Sequence, residues 1–295
     1  MTSFLDDADI LLADEAVEEG VAVDPDPDLP ERPGGRAVRL VRRYVRSRGF
    51  GWTALAAFIL YWQLKGTSQP SAILPAPTKI LSRWYSEITD GELAGELGQT
   101  MVSMAYGYVI AAVVGITIGV LMGRVRFIHG LLEPVVEIVR PVPIIIFIPV
   151  VILYMGLGRG MNIMVIVLAA VNPVLLNSFA GARVVPATLA DTAATFRLSW
   201  FQTLRETVLP NAAPHIFVGL RLALASSLIV AVATGMIAGT SGLGYYILNA
   251  QQTLNVEKMY AGALTVAIIG YGLNLIFLTI ERRILHWHLA SGRAH

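Results

Sequence analysis

Six uncharged stretches dominate this chain, at residues 49–64, 100–123, 141–158, 160–182, 222–256 and 259–280. An α-helix needs ~20 predominantly apolar residues to cross a bilayer, and in lipid only structures that satisfy their own backbone hydrogen bonds are tolerated. The pattern predicts an all-α integral membrane protein with six transmembrane helices, the third of them short. A soluble reading fails on composition, because 15% of residues are charged against roughly 25% in soluble domains. The stretch at 222–256 is too long for one span. Its break is placed at Gly239, Thr240, Ser241, Gly242, Leu243 and Gly244, where three glycines favour a turn, so its second half is expected to be loop. Cysteine is absent, which removes disulfides, thiolate nucleophiles and cysteine metal sites.

The net charge of +1 conceals a division, since residues 1–31 hold 11 of the 21 acidic side chains and no Lys or Arg. Residues 1–35 form an acidic segment ending in alternating Asp and Pro, too poor in apolar residues to offset the entropy of ordering, and are expected to be a disordered tail. They do not resemble a signal peptide, which would begin basic. Six arginines follow in residues 36–48, immediately before the first span. Arginines there set orientation against the anionic lipid of the inner leaflet, and no nucleic-acid partner is expected. With six spans both termini share a side. That side carries 16 Lys and Arg, the other carries Lys65, Lys79, Arg83, Arg159 and Lys258, and Arg221 stands apart inside the fifth span. The positive-inside rule therefore puts both termini in the cytoplasm, and a multi-pass protein of the cell (plasma or inner) membrane is expected. Gly115 and Gly119 are read as ordinary helix packing, and Asn172 followed by Pro173 in mid-span as a kink facing protein or water.

The longest cytoplasmic loop, residues 183–213, is patterned. Thr188 with Asp191, and Ser199 with Gln202, have capping-box spacing, which predicts two short helices with a break near Arg197 and Leu198 and with Pro210 ending the second. Leu189, Ala193, Phe196, Trp200 and Leu204 recur at three- and four-residue steps, giving an apolar stripe on a polar element. Such a stripe suits either lipid headgroups or a groove on a partner protein.

Residues 191–199, reading Asp-Thr-Ala-Ala-Thr-Phe-Arg-Leu-Ser, with Gln202, Leu209 and Pro210, resemble the EAA signature of ATP-binding-cassette importer permeases. Asp191 stands for the family's Glu, Thr192 for its first Ala, Phe196 for its Leu and Arg197 for its Gly; Ala193, Thr195, Ser199, Gln202, Leu209 and Pro210 agree. The resemblance implies a type I importer fold in which this segment is the coupling helix seated in a cytoplasmic ATPase. Over residues 70–285 it extends to the subgroup importing sulfonates, taurine, nitrate and thiamine-precursor pyrimidines. Ile73 to Pro77, Arg140 to Pro143 and Ser241 to Tyr245 mark it. Residues 36–295 are then the permease domain. Where relatives read Ala-Glu-Met in the fifth span, this chain has Gly235 before Met236, so a carboxylate is missing.

No G-x-x-x-x-G-K-[ST] is present, and a phosphate-binding loop needs that lysine and those backbone amides. ATP and Mg would belong to a partner ATPase, with no cofactor on this chain and no catalysis of its own. The resemblance further implies an extracytoplasmic binding protein and a permease homodimer. Asn172, Asn177, Ser226, Ser227, Thr234 and Met236 are candidates for the translocation pathway, with helix packing as the plainer role for Ser and Thr in membranes. Two rivals are an ion-coupled secondary transporter and a membrane enzyme using His129, His215, His286 and His288; the second lacks an accompanying carboxylate cluster.

Overall fold

A computed structural model describes residues 48–68, 73–186, 188–189, 192 and 195–286. The acidic tail, most of the arginine flank, Asp191, Ala193 and His288 lie outside the described residues. The chain divides into two compact units at Leu60 and Tyr61. Helix α1 (Arg48–Ser68) begins in the first and ends in the second. There Trp62 Nε1 donates to Pro75 O (3.1 Å) and Gln63 Nε2 to Thr78 Oγ1 (3.0 Å), tying it to α2 (Pro77–Thr89).

The second unit continues with α3 (Glu92–Arg124), α4 (Arg126–Val139), a 3-10 turn (Ile144–Phe147), α5 (Ile148–Met155) and α6 (Arg159–Arg183). After the loop come α7 (Trp200–Thr203), a π turn (Leu204–Val208), α8 (Leu209–Ala238), α9 (Leu243–Gln252) and α10 (Val256–Ile284). Among the described residues four helical stretches are long and apolar enough to cross a membrane: α3, α6, α7 through α8, and α10. A fifth exists if the pair around residues 140–143, bent by 93°, counts as one span. Of the six expected spans, these account for four or five. The uncharged part of α1, residues 49–64, falls short of the ~20 residues a span needs. The third predicted span is broken because Pro141 and Pro143 offer no N–H to a helical ladder, leaving α5 with eight residues.

The core is the parallel pair α3 and α6. A Cβ on Gly107 would meet Ile166, on Gly115 Val174, on Gly119 the Leu175 carbonyl and on Gly123 Ala182, all closer than 3.0 Å. Steps of four residues on both helices bring like ridges together. Without side chains the backbones approach closely enough for dispersion to hold them where lipid offers no hydrophobic drive. The expectation of ordinary packing for Gly115 and Gly119 is met inside one chain. Helix α8 runs antiparallel on the other face of α6, with Gly219 against Pro173 O and Gly181 against Ala212. Helix α6 passes through Pro173 without a break; Asn177 Nδ2 donates to Pro173 O at 2.8 Å.

Two expectations fail at helix ends. Pro210 does not stop a helix but sits in the first turn of α8. The π turn before it widens the ladder that the ring would otherwise strike, so residues 200–238 are one continuous rod. The stretch after the glycine turn is not loop: Leu243, Tyr246 and Ala250 bury one face of α9.

Candidate coupling segment and polar end

At one end of the bundle, α6 stops at Arg183 and the chain enters a short helical turn. Phe196 N–H donates to Thr192 O (3.0 Å) and Thr192 Oγ1 to Thr188 O (2.7 Å). The turn ends at Phe196 and Arg197, and Arg197 has φ +50°. Left-handed backbone costs a non-glycine residue roughly 1 kcal/mol, so the residue standing in the glycine position of the EAA pattern adopts the conformation that glycine would adopt freely. The predicted break is therefore present. Ser199 then caps α7: Gln202 N–H donates to Ser199 Oγ (3.3 Å) and Ser199 N–H to Gln202 Oε1 (2.8 Å). This is the reciprocal capping box expected there.

The exposed apolar side chains of this segment are aromatic. Phe196 is 74% exposed, Phe201 64% and Trp200 58%, with Leu189 also exposed. Leu204, assigned to the same stripe, instead packs inward with Leu209 against Val120, Ala182 and Val208, because the π turn rotates it away. Phe201 takes its place. Thr192, Thr195, Arg197, Ser199, Gln202 and Pro210 are all exposed on this end.

The structure does not gather the pathway candidates into one chamber. Thr234 is fully buried and donates to Val230 O (2.7 Å), and Ser226 donates to Ala223 O (3.1 Å). Asn177 is committed to Pro173, Ser227 is fully buried, and Asn172 and Met236 are half-buried. Own-helix hydrogen bonding is the packing role that Ser and Thr commonly take. The histidines are equally scattered: His129 lies by Glu133 and the Phe179 ring, and no metal-binding group of three His, Cys, Asp or Glu exists among the described residues.

Sequence reasoning missed the polar opposite end. Glu96 accepts from Gly242 N–H, Gln99 from Arg159, and Thr100 Oγ1 from Leu243 N–H at 2.7 Å. These bonds fasten the glycine turn and the start of α6 to α3. Ser103 and the Asn162 Oδ1, buried without a hydrogen-bond partner, lie beside them. The spacing Glu96, Thr100, Ser103 places three polar groups on one face of α3, a signal that was available in the sequence. At Gly235 a Cβ would lie 3.1 Å from Gly244 Cα, a tight approach to α9, and a carboxylate reaches this turn from Glu96 on α3.

Next to it, Lys258 Nζ lies 2.7 Å from Glu92 and 3.8 Å from the buried Glu87, which holds Arg83 at 2.6 Å. Lys258 also stands over the Tyr246 ring, 4.9 Å from its centroid. Burial pushes the Tyr246 phenol well above its usual range, and the charges of Glu87 and Glu92 add to this.

Residues 115–286 match the family described as binding-protein-dependent transport system inner membrane component. The chain belongs to this family. A Bacillus subtilis protein assigned as an aliphatic sulfonates transport permease is 32% identical over 253 residues, covering 84% of this chain and 92% of the relative. The taurine transport system permease of Escherichia coli is 30% identical, covering 79% and 88%. The nitrate import permease of a Synechocystis strain is 27% identical, covering 79% and 87%. The fold is similar to a solved structure of the MetNI methionine ABC transporter, with TM-score 0.53 and 21% identity over 65% of this chain and 94% of that one. This permease is thus the multi-pass transmembrane subunit of an ABC importer, with the fold of type I importers.

Proposed function

We propose that this permease imports a small anionic or zwitterionic solute of the aliphatic sulfonate, taurine and nitrate class, driven by ATP hydrolysis on a separate ATPase. The observation carrying the coupling to a separate ATPase is the exposed aromatic side chains of Phe196, Trp200 and Phe201 beside the strained turn at Arg197, and similarity to the sulfonate, taurine and nitrate permeases supports the solute class. Large exposed aromatic side chains at the end of a helix bundle are the anchors expected of a protein interface. Asp191, Thr192, Ala193, Thr195, Phe196, Arg197, Ser199, Gln202, Leu209 and Pro210 form the coupling element. The rod of residues 200–238 carries its displacement into the membrane, as rigid-body switching requires. The protein itself binds no cofactor and performs no catalysis; ATP and Mg lie on the ATPase. Two copies form the pore in the cell inner membrane with both termini cytoplasmic, and an extracytoplasmic binding protein delivers solute at the polar end.

The test is co-purification of the full chain with ATPase subunits of its own organism, comparing wild type with Phe196→Arg plus Trp200→Arg. The pair of substitutions should abolish the complex while leaving the permease in the membrane. Retained complex with undiminished ATPase stimulation would make the segment a headgroup-lying helix instead.

A further inference from the structure

Arg221 is the single Lys, Arg, Asp or Glu of α8, it is exposed, and it has no ion-pair partner among the described residues. An unpaired charge within a span is costly and marks a functional site. Arg221 borders a cleft of about 180 Å³ between α8 and α10, which contains one further polar residue, Asn274, and is otherwise walled by groups such as Leu228, Gly270 and Leu273. An apolar box with a guanidinium and an amide at its edge is built for an amphiphilic anion.

Three occupants compete. A second copy of this chain offers Arg221 no carboxylate from residues 138–190, 207–256 or 258–280, which contain no Asp or Glu. A phospholipid acyl chain reaches across half of the ~30 Å apolar layer and would leave most of its length outside a cleft of this size. A cavity of about 150 Å³ takes benzene, with its six carbons, so this one suits an anion of about that size. Nitrate would use the guanidinium and leave the apolar walls unfilled.

We infer that the cleft holds a short aliphatic oxyanion of the sulfonate class, its head on the Arg221 fork and Asn274 and its alkyl tail against Leu228 and Leu273. The planar guanidinium matches two oxygens of such a head at once. The inference rests on the import of small anions proposed above, and within that class it selects an alkyl sulfonate over nitrate.

The experiment is saturation-transfer NMR of propane-1-sulfonate with the full chain in phosphatidylcholine nanodiscs, alongside growth of the source organism, lacking its own copy of the gene, on the same sulfonate as sole sulfur source. Wild type should transfer saturation to the alkyl protons; Arg221→Gln should lower the signal at least tenfold, and Arg221→Lys should keep part of it. Gly270→Leu should lower it without changing charge, since a Cβ there meets only the end of Leu228, at 3.0 Å. Ethanesulfonate should compete better than nitrate. Equal signals from wild type and Arg221→Gln, or equal competition by nitrate, would overturn the site. So would an Arg221→Gln variant that loses only bound phospholipid or its dimeric state. Growth separates the two readings. If Arg221→Gln restores growth as well as wild type does, the site falls and the importer stands; if wild type binds the sulfonate but restores no growth, sulfonate import falls and the site stands.

Discussion

The two ends of this bundle are built on opposite principles. At the coupling end the chain leaves Phe196, Trp200 and Phe201 uncovered and holds Arg197 in a left-handed turn. At the polar end the elements are tied together: Glu96, Gln99 and Thr100 bind the neighbouring elements, and Lys258, Glu87, Glu92 and Arg83 form one ionic cluster. A surface proposed to dock a partner can carry strain and exposure, because binding would cover it. A turn that closes four elements onto one another cannot.

The sharpest way to break this contrast is at Gly244, where a Cβ would lie 2.0 Å from the Val232 carbonyl oxygen. Backbone cannot yield as a side chain does, so Gly244→Ala should cost about 3 kcal/mol or more and remove folded protein from the membrane. Gly130→Ala on α4, with nothing within 4 Å, should be neutral or slightly stabilising. Comparable melting temperatures for the two variants in detergent would refute the distinction. Glu96→Ala is the next largest effect. It strands the Gly242 N–H, and an unpaired buried donor costs ~1–3 kcal/mol; an unchanged melting temperature would show the turn to be held otherwise.

At the coupling end the signs differ. Arg197→Gly should raise stability by roughly 1 kcal/mol by relieving the positive φ, whereas Ser199→Ala should lower it by a similar amount through loss of the cap. Circular dichroism melts of both would expose an error in either sign. The smallest effect concerns pH. A raised Tyr246 pKa means that the folded state keeps a proton which the unfolded chain releases near pH 10, so stability is fully present below that pH and falls as pH rises beyond it. Tyr246→Phe should match wild type at pH 7 and lose less stability between pH 10 and 11.

Much of this architecture is legible in the sequence because the bilayer reduces helix recognition to length and polarity. The runs at 100–123, 160–182 and 259–280 became α3, α6 and α10, and the coupling loop showed its Ser199 cap and its break at Arg197. Prolines were harder to read. Pro210 looks the same in sequence whether it ends a helix or starts one, and only the π turn before it decides. The helix α9 was hidden behind its glycine turn although Leu243, Tyr246 and Ala250 already carried helical spacing.

The sequence by itself determined that this is a helical membrane protein of the importer permease family, since hydrophobic length, charge asymmetry and the EAA-like segment are local properties. Only the packing of the helices decided that Glu96 secures a turn 146 residues away, that Gly235 lies close against Gly244, and that Leu204 faces inward while Phe201 faces out. Those outcomes depend on which backbones come within a few ångströms of each other, and that distance is set by helix packing, not by composition or periodicity.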